Sequence, residues 1–76
     1  MVLDVILIKT DDGFTAEIPS LSGCECWAHE EDVALEKIIE LASYYLKVEL
    51  KKFKLDRARR NNSQTIYKLV FDKVIL

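Results

Sequence analysis

Glycine, proline, cysteine and histidine are all scarce in this sequence: its 76 residues include two glycines, one proline, two cysteines and one histidine. So few chain-breaking residues, in a chain that is half apolar, exclude a disordered or low-complexity protein. No apolar run approaches the roughly 20 residues that cross a bilayer, and Asp4 stands where a signal peptide would be basic. We therefore expect a single small domain, located in the cytoplasm and without membrane contact.

The two cysteines, Cys24 and Cys26, are separated by one residue. A disulfide between them would be strained and would not connect distant parts of the chain, so we expect reduced thiols. With His29 they form the pattern Cys-x-Cys-x-x-His, and zinc accepts such ligands, but a structural zinc site needs four of them. We expect two small buried thiols and a surface histidine, with no metal, no cofactor and no cysteine-based catalysis.

Charge is unevenly distributed along the chain, although the total is only −2. Residues 1–46 carry two basic and ten acidic side chains, which gives −8, whereas residues 47–60 carry seven basic and two acidic ones, which gives +5. This division predicts an acidic surface and a basic one. The basic segment either contacts RNA phosphates or is a solvated helix end. We favour the helix end, because Phe53 is the only aromatic residue among these bases.

Apolar periodicity predicts an α+β fold with the order β-β-β-α-(α)-β, in which a small sheet packs on one long helix. Asp12-Gly13 marks a hairpin turn between the first two strands. Helical spacing begins at Glu30, with acidic residues in the first turn. The periodicity leaves open whether residues 47–60 continue this helix or form a second one. The predicted strands, three N-terminal and antiparallel and one C-terminal, are residues 2–10, 14–18, 24–29 and 65–75.

Apolar residues lie on both faces of the first and last predicted strands. Ile6 and Ile8 alternate with Val5 in the first strand, and Ile66 and Val70 lie on the second face of the last one. A single helix covers only one face of a sheet. The uncovered apolar face predicts a partner, and we expect a homodimer or a higher oligomer.

Carboxylates on three predicted elements suggest an alternative function. Asp4 lies in the first strand, Glu36 or Glu40 in the helix, and Asp72 in the last strand. One carboxylate from each element can hold Mg²⁺ for phosphodiester hydrolysis, as in a metal-dependent ribonuclease-H-like nuclease. The simpler interpretation is that each is a solvated residue on an alternating element, so we expect no catalytic residues.

The segment from Asp12 to Cys24, with the pattern Asp-Gly-Phe-x-Ala-x-x-Pro-x-Leu-x-Gly-Cys, resembles the sequence pattern of HicB-like antitoxins. Ala34-Leu35 follow at the start of the helix, as in that family, and the resemblance covers about residues 2–46. It implies a small, partially degraded ribonuclease-H-like domain. The family usually has Gly-Asp-Thr where this chain has residues 28–30, Ala-His-Glu, so we expect a helix without a side-chain N-cap.

The resemblance also implies a function, that of a non-catalytic antitoxin or an orphan relative. Such a protein binds a small, basic, RNA-cleaving HicA-like toxin and masks its catalytic residue. An acidic surface suits this partner, because complementary charge speeds encounter and discriminates between partners. Family members typically append a DNA-binding module for which this chain has no room, so we do not expect DNA binding. The candidate partner-binding residues are Asp11, Asp12, Glu17, Glu25, Trp27 and His29.

Overall fold

A computed structural model describes residues 1–61 and 63–72, which form a five-stranded antiparallel sheet with one long helix on one face. In chain order the elements are β1 (Val2–Lys9), β2 (Phe14–Glu17), β3 (Glu25–Ala28), α1 (Glu31–Leu46), a 3-10 turn (Leu50–Lys52), β4 (Lys54–Arg60) and β5 (Gln64–Val70). The sheet order is β3-β2-β1-β5-β4. The α+β class is confirmed, but the sheet has five strands where four were predicted.

Strand β1 is the centre of the sheet. It pairs with β2 on one side and with β5 on the other, so the first and last strands of the chain are neighbours. Its alternation of apolar residues explains this place, because Val5 and Leu7 are buried on the helix side while Ile6 and Ile8 are half-buried on the other. A strand with apolar side chains on both faces is suited to the middle of a sheet.

Helix α1 packs on the sheet through a stripe of small and branched residues. Ala34, Ile38 and Ala42 recur at helical spacing and are fully buried. As expected, the N-cap residue Glu30 makes no side-chain capping bond. The core between helix and sheet consists of Val5, Leu7, Ala16, Ile18, Cys24, Ala28, Ala34, Ile38, Ala42, Tyr67, Leu69 and Phe71.

Residues 47–60 contain the missed strand, so their interpretation as a continued helix, a second helix or a solvated helix end is wrong. Lys47 adopts a left-handed backbone (φ 57°, ψ 44°) and ends α1. One 3-10 turn at Leu50–Lys52 then leads into β4. Leu55 of β4 lies opposite Leu69 of β5 and packs against the core. Pairing with β5 determines this strand, and local periodicity carries no information about it.

The two faces of the sheet are chemically different. One is covered by α1, and the other, here named the open face, has none of the described helical residues over it. Strand β5 was expected over residues 65–75 and is observed over Gln64–Val70; residues 73–76 lie outside the described part. The open face carries Val2, Asp4, Ile6 and Ile8 of β1, Thr15 and Glu17 of β2, Glu25 and Trp27 of β3, Lys54, Asp56 and Arg59 of β4, and Gln64, Ile66, Lys68 and Val70 of β5.

Among the residues that the structure describes, no helix has the length and apolar character needed to cross a membrane.

Candidate functional site

The six candidate partner-binding residues lie on one half of the molecule, around β2 and β3. Four of them meet at the turn between β1 and β2, and we name this surface the Trp27 corner, formed by Asp11, Asp12, Trp27 and His29. The other two, Glu17 and Glu25, pair directly across β2 and β3 at the opposite end of these short strands. The structure therefore brings four of the candidates together and leaves Glu17 and Glu25 as a separate pair at the far end of the same strands.

Trp27 is held in place although 40% of it is exposed. Its indole Nε1 donates a hydrogen bond to Thr10 Oγ1 at 3.4 Å, and its ring meets the His29 ring edge to face, with centroids 4.6 Å apart. A large aromatic side chain that is both exposed and immobilised loses little conformational entropy on binding.

Gly13 allows Trp27 to take this position. A Cβ atom on Gly13 would lie 2.5 Å from the Trp27 ring atom Cζ2 and 2.5 Å from the Ala28 carbonyl oxygen. Thr10 N–H donates to the Gly13 carbonyl at 2.8 Å, which closes the predicted hairpin turn. Gly23, and not Gly13, is the glycine with a positive φ. Gly13 is therefore needed for the close approach of the indole, and not for the left-handed backbone that Asp-Gly turns commonly require.

His29 fastens the turn from the other side. Its Nδ1 lies 3.1 Å from the Asp12 carbonyl oxygen. A carbonyl oxygen only accepts, so this hydrogen bond requires the proton on Nδ1. The imidazole thus links the end of β3 to the acidic turn, which fixes the position of the Asp11 and Asp12 backbone relative to the indole.

Glu17 and Glu25 form a like-charge pair directly across two strands. Like charges placed opposite each other destabilise a sheet by several tenths of a kcal/mol. Glu25 is exposed and Glu17 is half-buried, and the acidic turn lies at the other end of the same strands. A cationic partner would relieve this repulsion, so the arrangement favours basic ligands.

A shallow groove adjoins the Trp27 corner, and sequence reasoning missed it. Its volume is about 260 Å³, and two residues of α1, Val33 and Lys37, form its far wall. Val33 is 37% exposed and lies one position before the buried stripe that begins at Ala34. An apolar residue next to the buried stripe is the sequence signal that could have indicated this groove. The groove is lined by Trp27, Ala28, His29, Glu30, Val33 and Lys37.

The Cys-x-Cys-x-x-His pattern does not form a site. Cys26 faces the helix and donates its thiol hydrogen to the Ala34 carbonyl at 3.4 Å, whereas His29 is exposed at the turn. Burial raises the pKa of both Cys24 and Cys26, and Lys37 only partly offsets this at Cys26. Both thiols are therefore protonated at neutral pH and are weak nucleophiles and ligands. Within residues 1–61 and 63–72, no three His, Cys, Asp or Glu side chains cluster suitably for a metal.

The carboxylates of the nuclease alternative are not brought together. Asp4 lies on the open face and accepts a hydrogen bond from Lys68 Nζ. Glu36 and Glu40 are exposed on α1, on the opposite side of the sheet. Asp72 is exposed after the end of β5. A metal ion on the open face would have Asp4, already paired with a lysine, and no carboxylate from the helix.

The basic residues of β4 are distributed over two faces of an edge strand. Arg59 lies on the open face opposite Ile66, and Arg57 and Arg60 lie on the helix side. Phe53, the only aromatic residue within the basic segment 47–60, packs edge to face on Phe71 with centroids 5.1 Å apart. It is part of the core and is not a platform on which a nucleotide base can stack.

A cleft of about 80 Å³ lies between β4, β5 and the start of α1. Beside it Tyr67 Oη donates to Glu31 Oε1 at 2.8 Å. Burial, and then the hydrogen bond and charge of Glu31, raise the pKa of Tyr67, and Arg57 and Arg60 offset part of the effect. The bond joins the last strand to the first turn of the helix, and its role is structural.

The chain matches no family model, no curated protein and no solved structure. The Asp12–Cys24 pattern and the geometry of the Trp27 corner thus carry the functional argument.

Proposed function

We propose that this chain is a HicB-like antitoxin domain, or an orphan relative of one, that binds a small basic RNA-cleaving toxin and covers its RNA-binding face. The observation that carries the proposal is the Trp27 corner, in which an exposed indole is fixed beside the turn that contains Asp11 and Asp12. Tryptophan is among the residues that contribute most to protein interfaces when it enters a pocket on the partner. The surrounding carboxylates supply the charge that a basic, RNA-binding partner requires.

Inhibition on this model is stoichiometric and needs no chemistry from the antitoxin. The indole enters an apolar pocket of the toxin, and the Asp11 and Asp12 carboxylates occupy positions that RNA phosphates would otherwise take. The groove beside Trp27, with Val33 at its wall, extends the apolar part of the contact. RNA is excluded because the same basic side chains cannot bind phosphate and these carboxylates together.

Co-expression with the neighbouring short reading frame tests the proposal. A short, basic neighbour that arrests growth alone should be neutralised by this chain and should copurify with it. Trp27→Ala should weaken the complex by at least about thirtyfold, which corresponds to the roughly 2 kcal/mol of an interface hot spot. Isothermal titration calorimetry of the purified pair measures this loss.

Tyr44→Ala is the matched control. Tyr44 is an aromatic residue that is 86% exposed, and it lies about 10 Å beyond Lys37 along α1. Its removal should leave affinity unchanged, and circular dichroism verifies that both variants are folded. If the neighbouring protein neither binds this chain nor is neutralised by it, or if Trp27→Ala binds as tightly as the wild type, the proposal fails.

A further inference from the structure

The middle row of the open face combines an apolar centre with charges of opposite sign at its two ends. Ile6 of β1 and Ile66 of β5 lie directly opposite each other at the centre. In the same row, Glu17 of β2 lies beside Ile6, and Arg59 of β4 lies beside Ile66. The row therefore runs from an acid through two isoleucines to a base.

Two further rows of the open face have other compositions. Asp4 of β1 pairs with Lys68 of β5, and Val2 pairs with Val70. Val2 is 57% exposed, although it lies beside another apolar residue in the middle of the sheet. Apolar residues thus meet at the centre of two rows, and the Asp4–Lys68 ion pair lies between these rows. Isolated exposed apolar residues are ordinary, but apolar pairs grouped at the centre of a sheet indicate an interaction surface.

We propose that the open face is the interface of a homodimer whose two-fold axis runs parallel to the strands, between β1 and β5. Rotation about this axis leaves each residue at the same position along the strand direction and reverses the order of the strands across the sheet. Strand β1 then faces β5 of the second copy, and β2 faces β4. Ile6 meets Ile66, Asp4 meets Lys68, and Glu17 meets Arg59, each contact occurring twice.

Charge selects this axis over its alternatives. A two-fold axis perpendicular to the strands would place Glu17 near Glu17 and Arg59 near Arg59 of the second copy. An axis running along β1 itself would place Asp4 on Asp4. Each of these brings like charges together in a partly dehydrated interface, at a substantial free-energy cost. The axis between β1 and β5 instead places Glu17 opposite Arg59 and Asp4 opposite Lys68, while Lys54 and Asp56 of β4 lie in rows beyond the end of β2.

The available area is sufficient for a reversible dimer. Four overlapping strands, spaced about 4.8 Å apart and rising about 3.4 Å per residue, outline a flat area of roughly 400 Å² per copy. Because side chains project from the sheet, the accessible area is larger than this flat area. It approaches about 600 Å² per partner, which is the lower end of specific interfaces. We therefore expect dimerisation to depend on protein concentration. Strand β3 lies outside the overlap, so Trp27 remains accessible, and the inference does not depend on the antitoxin proposal.

Sedimentation equilibrium of the purified chain over a concentration series tests the interface without any toxin. Wild-type protein should show a reversible monomer–dimer equilibrium. Glu17→Arg and Arg59→Glu should each weaken the dimer by about tenfold or more, because each exchange makes two attractive ion pairs repulsive. The double variant Glu17→Arg/Arg59→Glu should dimerise as the wild type does.

Arg60→Glu is the matched control, because Arg60 is exposed on the same strand but faces the helix side. It should leave the dimer unchanged, and thermal melts of all variants verify folding. A wild-type chain that stays monomeric at every concentration overturns the proposal and leaves the face to another protein. A dimer that is insensitive to the single exchanges, or is not rescued by the double variant, also overturns it.

Discussion

Replacing Gly13 by alanine tests the origin of the Trp27 corner. The added Cβ would lie 2.5 Å from both the indole ring and the Ala28 carbonyl oxygen, whereas ordinary contacts between such atoms are about 3.5–4.0 Å. About 1 Å of movement is therefore required. The exposed indole can move outward, but the Ala28 carbonyl belongs to β3, which pairs with β2 on this side. We expect Gly13→Ala to displace Trp27 and to loosen the β2–β3 pair.

The expected loss of stability follows from two opposing effects. Overpacking of this kind costs about 1–3 kcal/mol, and replacing glycine restricts the unfolded chain, which returns about 0.4–1 kcal/mol. The net destabilisation is at most about 2.6 kcal/mol, and its midpoint of about 1.3 kcal/mol corresponds to a decrease of roughly 5–10 °C in Tm for so small a domain. Binding of a toxin through Trp27 should weaken in parallel.

Fluorescence measures the displacement directly, because Trp27 is the only tryptophan of the chain. In Gly13→Ala the emission maximum should shift to the red as the indole leaves its contacts with residue 13 and Thr10. Gly23→Ala is the control: Gly23 has φ 77°, so alanine there costs about 1–2 kcal/mol of backbone strain without touching the indole. An unchanged emission maximum and unchanged Tm in Gly13→Ala would refute the reasoning.

Two further substitutions test other parts of the structure. The folded-state pKa of Tyr67 lies above its ordinary value of 10.0, so the folded state retains a proton that the unfolded chain releases, and stability falls as pH rises above 10. Tyr67→Phe should remove this decline in the free energy of unfolding, which urea denaturation measures at a series of pH values. An unchanged pH profile in Tyr67→Phe would contradict the prediction. We expect no Mg²⁺-dependent cleavage of RNA or of an RNA–DNA hybrid above background, either by the wild type or by Asp4→Asn. Wild-type cleavage that disappears in Asp4→Asn would instead support the nuclease alternative.

The N-terminal half of the fold was predictable because its signals are local. Alternation of Phe14, Ala16 and Ile18 defined the face of β2, and the change to helical spacing at Glu30 defined the start of α1. The positions that are buried in the helix follow from the same period. For these elements, the residues that determine the structure lie within a few positions of one another.

Strand β4 was not predictable in this way. Its sequence has one half-buried apolar residue, Leu55, among charged ones, and the chain from α1 into β4 contains neither glycine nor proline to mark the end of the helix. Lys47 ends the helix in a left-handed conformation, where Ser43 Oγ donates to the Val48 carbonyl. The charges of β4 are typical of an edge strand, since they discourage pairing with other chains, but a solvated helix end has the same composition.

The Trp27 corner was predicted as residues and not as an arrangement. Sequence reasoning identified Trp27 and His29 as an aromatic and a polar residue on one face of a strand. It could not anticipate that Gly13 makes room for the indole, or that Val33 of α1 forms the far wall of the groove. Both contacts join segments that are distant in the chain, and they depend on how closely β3 approaches the turn and the helix.

Because β1 pairs with β5, part of β1 stays accessible to proteases and to other chains until β5 has been synthesised. Strands β1, β2 and β3 and the helix leave the ribosome first, but the central strand lacks one neighbour until residues 64–70 follow. Until then one face and one edge of β1, including the main-chain groups that later pair with β5, are open to proteases and to other chains. Such long-range pairing also slows folding. The lifetime of the nascent chain thus depends on its last strand.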